Sequence, residues 1–109
     1  MIVVTTPTVA GDEISDVLGL VRGSSIRSKH AGKDILAAMR NLAGGEIYEY
    51  TKMLAQAREQ AVDRMVEEAQ LLDADAVVSV RFQTSMVMRG AAEMLCYGTA
   101  VRLAHRDNP

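Results

Sequence analysis

The most regular hydrophobic pattern of the chain lies in its middle. Residues 46–72 contain no glycine or proline, and residue types that favour helices dominate there. Apolar residues recur at helical spacing, namely Ile47, Tyr50, Leu54, Ala57, Ala61, Met65 and Leu72. The pattern predicts one amphipathic helix about 40 Å long, because an α-helix rises about 1.5 Å per residue. Asp73 is expected to end it, since aspartate tolerates the left-handed conformation found at many helix ends.

After this helix the chain alternates between apolar and polar residues, as strands do. The alternation predicts one strand over Ala76–Met88 and a second over Ala91–Leu103, joined by a turn. If the turn has two residues, Phe82 lies opposite Tyr97 in the hairpin. The side chains expected on one face of the first strand are Val78, Val80, Phe82 and Thr84.

Shorter elements precede the central helix. Residues 2–6 are all β-branched and end at a proline, which predicts a short strand. Residues 17–26 favour a second strand, but Gly19 and Gly23 interrupt it. Glycines within a strand indicate a bulge or the close approach of another backbone. Residues 31–42 predict a short helix, because their apolar residues fall on one helical face.

Together these elements predict an α+β chain in the order strand, strand, short helix, long helix, strand, strand. An antiparallel sheet is expected to pack one face on the long helix. That helix also carries apolar or small residues outside its main stripe, such as Met53, Ala55 and Leu71. One small sheet cannot cover both sides of the helix, so we expect other copies of the chain to cover the remainder.

Length and charge narrow the class of protein. The chain has 109 residues, of which 49% are hydrophobic, and we expect one domain over residues 1–104 with a loose tail at residues 105–109. Twelve basic and fourteen acidic residues give a net charge of -2, which offers no electrostatic case for nucleic acid or an acidic membrane. A single cysteine, the absence of a basic signal-peptide start and the lack of an apolar run of about 18 residues favour a cytoplasmic protein.

A set of short motifs extends across almost the whole chain, roughly from Ile2 to Leu103. The long helix begins at Gly44-Gly45-Glu46 and continues through Tyr50 to Ala57-Arg58. It leads into residues 69–78 (AQLLDADAVV), and the last strand holds residues 97–101 (YGTAV). This combination resembles the YbjQ family of small bacterial proteins.

The resemblance implies a dodecin-like subunit that assembles into a ring, commonly a homopentamer. It also implies a family without an established role, which carries a heavy-metal-binding label. The sequence departs from the family at Asp73, where glycine is usual, and residues 27–34 follow no family pattern.

A heavy-metal site needs thiolate, imidazole or carboxylate ligands that converge on one point. The chain offers Cys96, His30 and His105, which lie in three different segments without paired spacing. Within one chain we interpret Cys96 as a small apolar strand residue and the histidines as loop and tail residues. Copies of these ligands gathered round the axis of an oligomer keep metal binding open as an alternative, and no cofactor is assigned.

The candidate ligand-binding or interface residues lie on the long helix and the last strand. Glu46 and Tyr50 share a helix face at a spacing of four residues, and Arg58 lies two turns further on. These three positions match the family pattern, and Glu93 and Tyr97 could contribute from the last strand. The residues either line a polar pocket between subunits or form an ion pair beside a packed tyrosine that serves assembly alone. We favour assembly, because paired charges at interfaces often set specificity.

Nothing in the sequence forms a recognisable catalytic group. Ser28 and His30 lack the third residue and the strand-turn-helix context of a nucleophilic site. Cations that could hold an anion near the short helix are Arg22, Arg27, Lys29, His30 and Lys33. We therefore predict a non-catalytic homo-oligomer, a pentamer by the resemblance, that acts as a binding or scaffold protein with any ligand between subunits. An enzyme with an interfacial active site is a second alternative.

Overall fold

One long helix lies across one face of a four-stranded sheet in the computed structural model, which describes residues 1–28, 44–88 and 91–104. The elements are β1 (Ile2–Val3), β2 (Ile14–Ser28), α1 (Gly44–Leu71), β3 (Ala76–Met88) and β4 (Ala91–Leu103). The predicted bounds of β3 and β4 are confirmed, whereas β2 is longer than predicted at both ends. The predicted short helix over residues 31–42 and the tail at residues 105–109 lie outside the described residues.

The sheet is mixed, which corrects the expectation of a wholly antiparallel one. Its strand order is β1-β3-β4-β2, and the three long strands pair antiparallel as predicted. β1 pairs parallel with β3, and the pairing continues beyond it, since the Ser79 N–H donates to the Thr6 carbonyl oxygen at 2.9 Å. The amino-terminal segment therefore occupies one edge of the sheet up to about Val80.

A bulge at Ser79 reverses the alternation of β3. Ser79 has a φ of 54°, and the register with β4 shifts between Val78 and Arg81. As a result Val77 and Val80 both join the cluster beneath the helix, while Val78 packs on the other side of the sheet. The prediction that Val78 and Val80 share a face is wrong for this reason.

The predicted pairing of the hairpin is also wrong. Phe82 lies opposite Cys96, and Tyr97 lies opposite Arg81. β3 gains one extra residue at the Ser79 bulge and another between Met86 and Met88, so its register differs from that of a regular hairpin.

The helix buries one stripe of mostly small side chains against β2 and β4. The stripe repeats every four residues and consists of Ala57, Ala61, Met65 and Ala69, each at most 1% exposed. The first three confirm the predicted stripe, whereas Leu72 lies beyond the helix and is 41% exposed. The side chains of Ile47 and Tyr50 lie outside those described.

Gly23 allows the backbones of β2 and α1 to touch. A Cβ atom at Gly23 would lie 2.2 Å from the Ala61 carbonyl oxygen and 2.4 Å from the Met65 nitrogen. Gly19 serves the other predicted role, because it has a φ of 128° at a register shift between β2 and β4. Both sequence-based interpretations of these glycines are confirmed.

The helix ends at a left-handed Asp73, as the sequence predicts, and its last hydrogen bonds form a Schellman motif. Asp73 has a φ of 58°, and its N–H donates to the Gln70 carbonyl oxygen at 3.0 Å. The Ala74 N–H donates to the Ala69 carbonyl oxygen at 3.1 Å, which completes the pair of bonds that defines this end. Asp75 then links the start of β3 to β4, because its carboxylate accepts a hydrogen bond from the Leu103 N–H at 2.9 Å.

A second cluster covers one end of the sheet face opposite the helix. Its buried members are Ala76, Val78, Val101 and Leu103, against which Ile2, Val4, Val9 and Ile14 pack. The rest of this face carries apolar side chains that remain exposed, with Val17 at 70%, Leu20 at 63% and Ile26 at 62%. No helix among the described residues is long and apolar enough to cross a membrane.

Replacing Gly23 with alanine is expected to destabilise the protein. The added methyl group would meet backbone atoms of α1, which can yield only if the helix moves. We expect the free energy of unfolding to fall by about 1–3 kcal/mol, which is the usual cost of overpacking a core. Urea denaturation followed by circular dichroism measures this change, and Ser24→Ala on the opposite face of β2 is the control. Equal midpoints for Gly23→Ala and Ser24→Ala would contradict the close packing.

Candidate functional site

The sheet face that points away from α1, here called the open face, holds the polar side chains of interest. Along β4, Met94, Cys96 and Ala100 lie in the cluster beneath the helix. The residues between them therefore point to the open face, because successive side chains of a strand alternate. Tyr97 and Glu93 are two of these residues, and both are half-buried.

Tyr97 lies at the centre of a cross-strand row on the open face. Arg22 of β2 pairs with it on one side, and Arg81 of β3 pairs with it on the other. Both arginines are exposed. We refer to Arg22, Tyr97 and Arg81 as the arginine row. Sequence reasoning did not find it, because a correct strand register is needed to bring these residues together.

Hydrogen bonds to main-chain oxygens hold the Arg81 side chain in place. Its Nη1 atom donates to the Thr5 carbonyl oxygen at 3.0 Å and to the Val80 carbonyl oxygen at 2.8 Å. Arg22 has no hydrogen bond or ion pair with the described residues. Its position in β2 agrees with the strand predicted over residues 17–26, and the short helix near which it was expected to hold an anion lies outside the described residues.

Glu93 lies near the far end of the open face. It pairs with Ile26 of β2 and with Ser85 of β3, so its immediate cross-strand neighbours are uncharged. Tyr97 lies four positions further along β4, which corresponds to about 13 Å along the strand.

The structure does not bring all five candidate residues to one place within a chain. Arg58 is exposed on α1, which covers the opposite face of the sheet from Glu93 and Tyr97. Glu46 and Tyr50 lie in the first two turns of α1, and their side chains are outside those described. Arg58 can therefore meet Glu93 and Tyr97 only across a contact between subunits, which keeps a shared site there a prediction.

A shallow groove runs along one side of α1 and was not predicted from the sequence. It has a volume of about 470 Å³. Its lining residues are Lys52, Ala55, Gln56, Glu59, Gln60 and Asp63. Their spacing of three and four residues is a signal that the sequence contained, since it marks one side of a helix. The buried Ser25 hydroxyl lies beside this surface and donates to Gln60 Oε1 at 2.6 Å.

The single cysteine belongs to the core. Cys96 is fully buried, and its thiol donates to the Met65 sulfur at 3.5 Å. Burial raises the pKa of the Cys96 thiol above its ordinary value of 9.0. Its full burial in the cluster beneath the helix confirms the interpretation of Cys96 as a small apolar strand residue.

The described donors do not fit a heavy-metal ion within one chain. Among the residues that the structure describes, no group of three or more His, Cys, Asp and Glu side chains could hold a metal. His30 and His105 lie outside those residues. Cys96 is buried in the core, where its sulfur contacts that of Met65.

These features define a small α+β protein in which one long helix covers one face of a four-stranded mixed sheet. The chain belongs to the YbjQ family, since the family model described as "Putative heavy-metal-binding" matches residues 1–104. The resemblance noted in the sequence is thereby confirmed.

Similar proteins occur in archaea and bacteria. A UPF0145 protein of Methanosarcina acetivorans is 59% identical over 106 residues, which cover 97% of this chain and 100% of that protein. A UPF0145 protein of Archaeoglobus fulgidus is 58% identical over 103 residues, covering 94% of this chain and 95% of its own length. These names state no activity.

A solved structure has the same fold. The crystal structure of a protein of unknown function from Pediococcus pentosaceus, assigned to the DUF74 family, aligns with a TM-score of 0.66. The alignment covers 94% of this chain and 97% of that one, at 20% sequence identity. The likeness supports the α+β architecture alone.

The position of Cys96 predicts that a mercurial thiol reagent will not reach it in the folded protein. We expect the native chain to react at least about 100-fold more slowly than the urea-unfolded chain, because reaction requires opening of the core. Absorbance titration with p-hydroxymercuribenzoate measures both rates. Rapid stoichiometric reaction of the native protein at pH 7 would contradict this account.

Because the fold favours the protonated thiol, the contribution of Cys96 to stability is complete below pH 9.0 and declines as the pH rises above it.

Proposed function

We propose that this protein is a non-catalytic homo-oligomer, a ring of five copies built from dodecin-like subunits, that serves as a binding or scaffold protein. Any ligand would bind where subunits meet. The number of copies comes from the family resemblance. The tendency to assemble follows from the surfaces of the chain itself.

The observation that carries this proposal is the exposed edge of β2. This strand has 15 residues and lies at one end of the strand order, so one of its sides has no partner strand within the described chain. Three large apolar side chains of β2 are more than 60% exposed, namely Val17, Leu20 and Ile26. Proteins that remain monomeric usually protect or shorten such an edge.

The opposite edge of the sheet supports a ring rather than a simple pair. Beyond about Val80, β3 has no described strand on its outer side. Met86 and Phe82, which lie on this part of β3, are 62% and 46% exposed. Two different open edges favour head-to-tail pairing, in which β2 of one copy meets β3 of the next, and such pairing closes into a ring when the rotation allows.

The shape of the chain points in the same direction. It extends over 56 × 22 × 20 Å with a radius of gyration of 17.5 Å. A compact chain of this length has a radius of gyration of about 13 Å. The extended form leaves apolar area uncovered, including Leu71 at the end of α1, which is 85% exposed.

Metal binding remains the alternative favoured by the family description. Within this proposal it requires ligands from several copies, because the described donors of one chain do not converge.

Light scattering tests the assembly. We expect the purified protein to scatter as an oligomer and the double variant Leu20→Lys/Ile26→Lys to scatter at a lower mass. The reason is that both side chains are exposed in the single chain, whereas two charges buried between subunits would be costly. Gln70→Lys, an exposed position on α1, is the matched control and should keep the wild-type mass. If the wild-type protein scatters as a monodisperse monomer, the result contradicts the proposal.

Glu46 and Arg58 distinguish the two roles considered for the candidate cluster. If they form an assembly contact, replacing either with alanine should lower the oligomer mass, because the remaining charge loses its partner. If they line a pocket, the same variants should keep the mass and lose any co-purified small molecule. Native mass spectrometry measures both quantities together. If the variants change neither the oligomer mass nor the retained molecule, neither Glu46 nor Arg58 belongs to the site.

A further inference from the structure

The arginine row concentrates positive charge in neutral surroundings. The adjacent row towards Glu93 consists of Ser24, Leu95 and Gln83. The adjacent row on the other side consists of Leu20, Thr99 and Val78. Neither row contains an acidic residue, although the chain as a whole carries a net charge of -2. Two guanidinium groups therefore lie on one sheet face without an acidic residue in the neighbouring rows, which favours an anion there.

The two guanidinium groups keep most of their donors available. Arg81 uses its Nη1 atom on two carbonyl oxygens, which orients the group and leaves the Nη2 and Nε donors without a hydrogen bond to the described residues. Arg22 is exposed and donates to none of them. Tyr97 is the cross-strand partner of both arginines, and the neighbouring rows contribute the polar residues Ser24, Gln83 and Thr99.

We propose that Arg22, Tyr97 and Arg81 bind a small molecule that carries phosphate. Arg22 and Arg81 lie two strands apart, which places their backbones about 10 Å from each other on either side of the tyrosine. One carboxylate is satisfied by a single bidentate arginine, whereas a phosphate or diphosphate offers enough oxygens and charge to engage two. The Tyr97 ring forms the floor of the site and supplies a hydroxyl donor.

This inference rests on the proposed function in one respect, because Arg22 lies between Leu20 and Ile26 on the same face of β2 and the row therefore borders the proposed contact between subunits. Anion binding and oligomer mass are measured separately, so a failure of one is distinguishable from a failure of the other.

Isothermal titration calorimetry of the full chain with pyrophosphate tests the site. We expect Arg22→Gln and Arg81→Gln each to weaken binding by about tenfold or more, because each removes one set of charged donors. Arg22→Lys should recover only part of the affinity, since lysine keeps the charge without the planar pair of donors. Malonate, a dicarboxylate of similar size, should bind more weakly than pyrophosphate.

Arg102→Gln is the matched control. Arg102 also lies on β4 and has the same charge, but it is 3.9 Å from Asp73 and outside the row. Its replacement should change the affinity by less than about twofold if the site is local, since only general charge is lost. Circular dichroism establishes that each variant is folded.

Three results would overturn the inference. The first is no measurable binding of pyrophosphate by the wild-type protein, and the second is equal weakening in Arg102→Gln, which would indicate a general charge effect. The third is a fall in oligomer mass for Arg22→Gln without added anion, because the occupant of the row would then be a carboxylate of another copy.

Discussion

The direct contact between the backbones of α1 and β2 at Gly23 determines how this protein is arranged. The Ala61 carbonyl oxygen and the Met65 nitrogen lie where a Cβ atom of any other residue would be. The helix can approach this closely because its buried stripe is mostly alanine, with Met65 as the one large side chain. Where the described side chains of this stripe meet β2 and β4, such close packing leaves no room for a polar pocket, which directs attention to the open face, the groove along the helix and the contacts between subunits.

The bulge at Ser79 complements this contact by giving the sheet two apolar faces. Because the bulge reverses the alternation of side chains in β3, Val77 and Val80 both pack beneath the helix, around Gly98 of β4. Ala76 and Val78 instead pack with Val101 and the amino-terminal segment on the other side. That second cluster covers only one end of the open face. The exposed apolar residues on the remainder are the reason that assembly is proposed for this chain.

The sequence predicted features that depend on single residue types or on a regular period. The bounds of β3 and β4, the left-handed Asp73 and the special roles of Gly19 and Gly23 belong to this group. The cross-strand register could not be predicted, because two irregularities displace it. One lies between Met86 and Met88 and brings Tyr97 opposite Arg81, and the other is the bulge at Ser79, which adopts a positive φ without being glycine, asparagine or aspartate. A shift of one residue changes every cross-strand partner, which is why the arginine row was not predicted, although Tyr97 and Arg22 were each considered separately as candidates.

If the contact at Gly23 organises the fold, α1 and the sheet must open together. Native-state hydrogen exchange of the amides of Met65 in α1 and Cys96 in β4 measures this most directly, since each reports the free energy of its own opening. The account predicts equal values for the two amides within about 1 kcal/mol, close to the free energy of global unfolding. Exchange at Met65 through a much easier opening, while Cys96 stays protected, would show that the helix is only loosely attached and would contradict the account.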